Sequence, residues 1–427
     1  MTIPWRVIAS VGAAMALVLS ACAADDADEP DPDPVDESVD DPDDDVLEEP
    51  DEADDAAEDA DGDPIIIGGA FSVTDWMAAY DGPPREGAMA AVEYINEQGG
   101  VLGRPLELIE SDSQSDPAVA SQAALELIDQ GAQVLVAPCD FDIGAPVGIE
   151  GQREGLPTIS TCATSPGFPD AIGDMMFMTA YGNNRQAAAM AEWAFEEQGW
   201  ESIYLIIDTS IDYTRTLGDF FRTAFEELGG TVVGEDSYTM GDEDYSSQVS
   251  NFQSGGQDAD MIYVASLVPD IGTILRQFRA AGIDLPVASG DGIEADLLVE
   301  VAGADAANNT FFTTHGFVGE GAEDEAQLFV ERYEGMFGER PETSFHAIGW
   351  DTVRLIAQAI EDAGSDDPTA IRDALEQITD FPSATGRTIS YSPDSHVPEK
   401  DVAIVEVVDG TFELIDWWQP QNIPPAS

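Results

Sequence analysis

The sequence predicts an α/β protein of two doubly wound parallel-sheet lobes, and three observations carry that expectation. From Ile65 onward, short β-branched runs alternate with long amphipathic stretches, the pattern of strands joined by crossover helices. A second, similar series begins after Tyr181-Gly182-Asn183, so two halves of about 120 residues each are implied. Together they hold more strands than one open sheet usually takes, which makes two lobes with a cleft between them the economical arrangement. Ligands in such sheets bind at the carboxyl ends of the strands, so the site is expected on loops that follow strands in both halves.

The elements follow in order. Ile65-Ile66-Ile67 reads as a buried strand, and Arg85 to Gln98 as a helix stopped by Gly99-Gly100. Leu106 to Ile109 is a strand, Pro117 to Gln130 a helix with Pro in its first turn, and Gln133 to Ala137 a strand. A helix within Gly144 to Glu154 leads to the strand Thr158-Ile159-Ser160. The second series has helices at Gln186 to Gln198, Leu217 to Leu228, Tyr245 to Phe252, Asp270 to Ala281 and Asp296 to Val301. Its strands are Ile203 to Ile207, Thr231 to Val233, Met261 to Val264 and Pro286 to Ala288. After Phe311-Phe312 come helices at Asp324 to Met336, Phe345 to Ala363 and Thr369 to Gln377. Strands at Arg387 to Tyr391, Val402 to Val408 and Phe412 to Trp417 end the chain, the last two joined by the hairpin turn Asp409-Gly410.

The first 64 residues have a different character. Arg6 precedes an apolar run from Val7 to Leu19 that ends at Leu19-Ser20-Ala21-Cys22. A charged start, a short apolar core and small residues before the cut make an export signal, too short to serve as a spanning anchor. The segment resembles bacterial lipoprotein signals, which implies cleavage after residue 21 and lipid on Cys22. Residues 23–64 carry 23 Asp or Glu and no Lys or Arg. Such a stretch buries too little apolar surface to offset chain entropy, and is expected to be a disordered spacer. The Asp40 to Asp45 cluster has no Gly-turned loop to build a calcium cage.

Residues 65–427 hold 63 acidic against 14 basic side chains, and Lys400 is the only lysine in the chain. That balance excludes nucleic acid and anionic membrane surfaces as partners, because both need basic patches. Once Cys22 is lipidated, Cys139 and Cys162 remain as an even pair; in an exported protein a disulfide is expected, with two free buried thiols as the alternative. His315, His346 and His396 are scattered without metal-ligand spacing, and no Gly-rich phosphate loop follows a strand. Neither an enzyme nor a bound cofactor or metal is expected.

Several motifs recur in a fixed order: Gly87-Ala88 with Ala91-Val92-Glu93-Tyr94-Ile95-Asn96, Gly99 to Pro105, and Asp112-Ser113-Gln114-Ser115-Asp116-Pro117. Glu154-Gly155-Leu156-Pro157, Ala163-Thr164-Ser165-Pro166, Leu275-Arg276-Gln277 and Gly290-Asp291-Gly292 come later. In this ordered set the chain resembles the leucine/isoleucine/valine-binding proteins of branched-chain amino acid ABC importers, over nearly all of Ile65 to Trp418. The resemblance implies the type I periplasmic-binding fold, two lobes joined by a three-crossover hinge. It implies residues 65–182 and 314–385 as the first lobe and 183–313 and 386–427 as the second, after a signal peptide (1–21) and a lipidated spacer (22–64). It implies a monomer, with a small nitrogenous solute and permease subunits as partners.

The implied ligand-binding residues are Tyr80, Asp140, Phe141, Asp142, Ala163, Thr164, Tyr213, Ser266 and Asp291. Ala163 is carried over through its backbone, Thr164 through its hydroxyl, and Asp291 as the acidic partner of a ligand ammonium. The chain departs from the family at Cys139-Asp140-Phe141-Asp142, where the family presents hydroxyls and N–H groups to a ligand carboxylate. Two carboxylates there either turn outward or face a donor group on the ligand. Leu267 stands where the family often has Tyr, leaving a more apolar wall or a role for Ser266. A lipid-tethered sensor of an amide, urea-like or amino-acid solute, reporting to a membrane receptor, is the alternative function.

Overall fold

Val134, Leu135, Val136 and Ala137 are all fully buried, as a strand covered on both faces must be. Val134 and Val136 point into one apolar core and Leu135 and Ala137 into another, the period-2 alternation of a strand. In this computed structural model, which describes residues 62–426, that strand lies at the centre of the first sheet. The expected signal peptide, Cys22 and the spacer up to residue 61 lie outside the described residues.

The first sheet is formed by β1 (Ile65–Gly69), β2 (Leu106–Glu110), β3 (Val134–Ala137), β4 (Thr158–Ser160) and β5 (Met176–Met178). They run parallel in the order β2-β1-β3-β4-β5. Helices α1 (Ala78–Glu97), α2 (Pro117–Asp129), α3 (Phe141–Glu154) and α4 (Phe168–Ile172) connect them. The short β5 carries no turn or periodicity signal strong enough to announce it; its three residues are buried by β4 beside them.

The second lobe opens with α5 (Asn183–Glu192), which runs into a π-turn at Trp193–Glu197. There follow β6 (Ser202–Asp208), α6 (Asp212–Glu227), β7 (Thr231–Tyr238), α7 (Ser246–Gly255), β8 (Met261–Ala265) and α8 (Asp270–Ala280). Next are β9 (Val287–Ser289), α9 (Asp296–Ala302), α10 (Ala304–Ala307) and β10 (Thr310–Thr314). Strands β7-β6-β8-β9-β10 are parallel and repeat the order of the first sheet.

The chain then returns to the first lobe with α11 (Asp324–Phe337), α12 (Ser344–Ala363) and α13 (Pro368–Leu375). A small antiparallel sheet, β11 (Phe381–Pro382), β12 (Thr388–Ser392) and β13 (Ser395–Glu399), comes next. Strands β14 (Val402–Val408) and β15 (Thr411–Trp418) add antiparallel to the edge at β10, making seven strands. The second sheet is therefore mixed, because a hairpin needs no crossover helix. Three crossovers join the lobes, after β5, after β10 and before β14. Segment 388–399, expected with the second lobe, packs on the first: Tyr391 Oη donates to the Met178 carbonyl at 2.7 Å, and His396 Nδ1 lies 2.9 Å from the Met176 carbonyl. Its buried Ile389 and Tyr391 fill the core beneath the first sheet, so that crossover falls near Lys400.

Helix α1 begins at Ala78, seven residues before the expected Arg85, and carries Pro83 and Pro84 inside. Prolines ordinarily end a helix, since each lacks an N–H and its ring strikes the preceding turn. Packing overrides that tendency: α1 crosses α12 so closely that a Cβ on Gly87 would overlap the His346 carbonyl, and one on Gly349 the Pro84 carbonyl. No helix among the described residues is long and apolar enough to cross a membrane.

Candidate functional site

The early start of α1 places Tyr80 and Asp81 in its first turns, just beyond the end of β1. Asp81 is fully buried and accepts hydrogen bonds from the Ser72 and Cys139 N–H groups, both at 2.8 Å. Burial pushes its carboxyl up to about 7, and these two bonds pull in the other direction. Asp81 thereby ties the loop after β1 to the loop after β3.

The loop after β3 is further tied to the loop after β4 by a Cys139–Cys162 disulfide, whose Cα atoms are 4.5 Å apart. Asp140 comes next and is the N-cap of α3. Its Oδ1 accepts from the Asp142 N–H at 2.8 Å and the Ile143 N–H at 3.3 Å. Helix α3 therefore starts at Phe141 rather than at Gly144. Burial, with Asp142 as a like-charged neighbour, raises the Asp140 carboxyl to about 7.

From the second lobe, Tyr213 at the start of α6 and Asp291 after β9 form the opposite wall. Asp291 is only 2% exposed, yet its carboxylate is well served. Oδ1 accepts from Gln186 Nε2 at 2.8 Å and Tyr213 Oη at 2.9 Å, and Oδ2 lies 2.9 Å from His315 Nε2. Burial lowers the pKa of His315 although the Asp291 carboxylate pulls it up, and this favours the neutral ring. A neutral ring bonded this way carries its proton on Nε2, in keeping with a buried Nδ1 that has no partner. Burial and Asp291 raise the Tyr213 phenol well above its usual range.

Between these walls lies a small interlobe cavity. The first lobe lines it with Trp76, Met77, Tyr80, Asp140, Phe345 and the disulfide, and the second with Ile211, Tyr213, Leu267, Asp291 and Gly292. Tyr80 bridges the lobes: its Oη donates to the Gly292 carbonyl at 2.9 Å and accepts from the Val268 N–H at 3.2 Å. Further links between the lobes run from the Asp212 N–H to Asp142 Oδ2 at 3.4 Å and from the Ser344 N–H to Glu294 Oε1 at 2.7 Å. The conformation is closed.

Of the residues expected at the site, Tyr80, Asp140, Tyr213 and Asp291 line this cavity. The others stand elsewhere. Phe141 packs edge-on against Phe168, and exposed Asp142 turns to the rim of the second lobe. Ser266 is taken by Tyr238 Oη at 2.5 Å, so Leu267 forms the apolar wall in its place. The Ala163 N–H donates to Ser160 Oγ at 3.3 Å within its own loop. Thr164 keeps a buried Oγ1 without a partner but is outside the cavity lining. Phe345, Ile211 and Met77 had no sequence signal as lining, because apolar residues at helix starts look the same in a core and in a pocket. His315, which the chain places at a crossover, touches the site from behind Asp291.

The comparisons with known proteins agree with this architecture. Residues 64–411 match the family model described as periplasmic binding protein. A Leu/Ile/Val-binding protein homologue from Brucella melitensis is 27% identical over 349 residues, 81% of this chain and 92% of the relative. A leucine-, isoleucine-, valine-, threonine- and alanine-binding protein from Pseudomonas aeruginosa is 26% identical over 324 residues, covering 76% and 85%. Among solved structures, the branched-chain amino acid transporter substrate binding protein LivJ from Streptococcus pneumoniae, in complex with isoleucine, superposes with a TM-score of 0.76. It is 27% identical and the match covers 84% of this chain and all of that one. With its two lobes, three crossovers and interlobe cavity, the chain belongs to the periplasmic binding protein family.

Proposed function

We propose that the protein is an extracytoplasmic solute-binding lipoprotein that captures an amino acid or similar small nitrogenous solute and delivers it to an ABC importer. The observation that carries this reading is the cavity itself: it sits at the carboxyl ends of both sheets and presents Asp140 from one lobe and Asp291 from the other. Two carboxylates facing a small enclosed space favour a ligand that brings hydrogen-bond donors and positive charge. Closure across Tyr80 then reports occupancy, because a ligand with higher affinity for the closed form shifts the lobes toward it. Lipid on Cys22 would hold this monomeric receptor beside its permease.

A thermal-shift screen of the purified protein against amino acids, amides, urea and polyamines tests the binding. A ligand at 100 times its dissociation constant adds about 2.7 kcal/mol of stability. If no nitrogenous solute raises the melting temperature, solute capture is wrong. Deleting the gene should then abolish uptake of the ligand so identified; uptake that persists would move the protein from transport to sensing.

A further inference from the structure

Resting on that reading of the cavity, we infer that its ligand is a small organic cation with an apolar body and no carboxylate group, in place of a zwitterionic amino acid. The first support is charge. Asp140 and Asp291 both line the cavity, and among the described residues no Arg, Lys or His does. Lys400 is spent at the hinge, where its Nζ donates to Thr385 Oγ1 at 2.6 Å, and His315 sits behind Asp291 with its pKa lowered by burial. A ligand carboxylate would face Asp291, and Asp140 whenever it ionises, in a desolvated space with no cationic side chain among the lining residues to neutralise it.

Several backbone donors around the cavity are already engaged, which is the second support. The N–H groups of Asp142 and Ile143, at the start of α3, bond Asp140 Oδ1. The Cys139 N–H bonds Asp81, the Gly292 N–H bonds Tyr213 Oη, and the Val268 N–H bonds Tyr80 Oη. By contrast an acceptor stands ready: Asp140 is 4% exposed, lines the cavity, and its Oδ2 has no partner among the described residues. Without a cation beside it that carboxyl rests near 7, so a bound cation would relieve the cost of ionising it.

Shape supplies the third support. Trp76, Tyr80, Tyr213 and Phe345 bring four aromatic rings to the same space. Ring faces attract ammonium groups, more strongly as both are desolvated. Leu267 and the disulfide leave apolar surface for the body of the ligand.

The test is isothermal titration of the full-length protein with four matched probes: 3-methylbutylamine, choline, leucine and isovalerate. The first is leucine without its carboxylate, and the last is the carboxylate on the first probe's carbon skeleton, with no amine. The inference expects 3-methylbutylamine or choline to bind at least tenfold more tightly than leucine, and isovalerate not at all. Leucine binding as tightly as both cations would overturn the inference and leave solute capture standing. Failure of all four, together with the wider nitrogenous panel, would overturn both. Asp140→Asn separates charge from folding, since Asn caps a helix as well as Asp. This variant should lose at least tenfold in cation affinity while the free protein melts at or above the parent's temperature; an unchanged affinity would remove Asp140 from recognition and refute the inference.

Discussion

The two lobes repeat one strand order and arm the site in opposite ways. In both, the loops after the first, third and fourth strands of the parallel series reach the cavity: Tyr80, Asp140 and Cys162 in one lobe, Tyr213, Leu267 and Asp291 in the other. The first lobe fixes its loops covalently and through the backbone, by the disulfide, the Asp81 bridge and the α3 cap. The second fixes a single carboxylate by side-chain donors drawn from α5, α6 and a crossover. Equal topology thus supplies equal positions, while side-chain chemistry decides which lobe holds a satisfied charge and which keeps an acceptor in reserve.

Asp291→Ala should be the most damaging break in that comparison. It strands the donors of Gln186, Tyr213 and His315 in a buried space, and a buried donor left without a partner costs about 1 to 3 kcal/mol. Urea unfolding that moved by less than 1 kcal/mol would show those donors finding other partners. The corresponding break in the first lobe is Cys139→Ala with Cys162→Ala. Opening a 23-residue loop lowers stability by about 3 kcal/mol in the chain-entropy model. If the double variant melted like the parent, the α3 cap and Asp81 alone would be holding the loops.

The smallest effect is the most specific. The Asp140 carboxyl binds its proton more tightly when folded, near 7, than when unfolded, near 3.8. Its contribution to stability is therefore greatest below about pH 4, falls as pH rises, and levels off above 7. Asp142 and Asp212 add to the effect by repulsion. Asp140→Asn removes the titration, so relative to the parent it should gain on the order of 1 kcal/mol between pH 5 and pH 8. A stability difference that stayed constant across that range would assign the proton elsewhere, with Asp81 and Glu294, both raised to about 7, as the next groups to test.

Much of the fold was legible in the chain because strands covered on both faces leave a pattern that only α/β layers produce. Gly87 and Gly349 looked like ordinary helix residues; only the α1–α12 crossing makes them necessary. The start of α1 was misplaced because two prolines argued against a helix that tertiary packing sustains. At the site, Tyr80, Asp140, Tyr213 and Asp291 were implied by the family resemblance, and each lies on a segment that follows a strand, where such sheets bind ligands. Ser266 and Phe141 also follow strands, yet the next side chain in space, Tyr238 or Phe168, takes them away from the cavity.

The sequence by itself determined the two-lobed α/β architecture and the acidic excess, and made Cys139 and Cys162 a candidate pair that the structure shows bonded. Periodicity, composition and cysteine number are local or additive properties, and need no knowledge of which residues meet. The tertiary structure alone decided that Asp140 faces inward and Asp142 outward, that Leu267 replaces Ser266 in the wall, and that His315 backs Asp291. Those outcomes depend on which donors and rings arrive from distant elements, and a buried polar group takes the orientation that satisfies it.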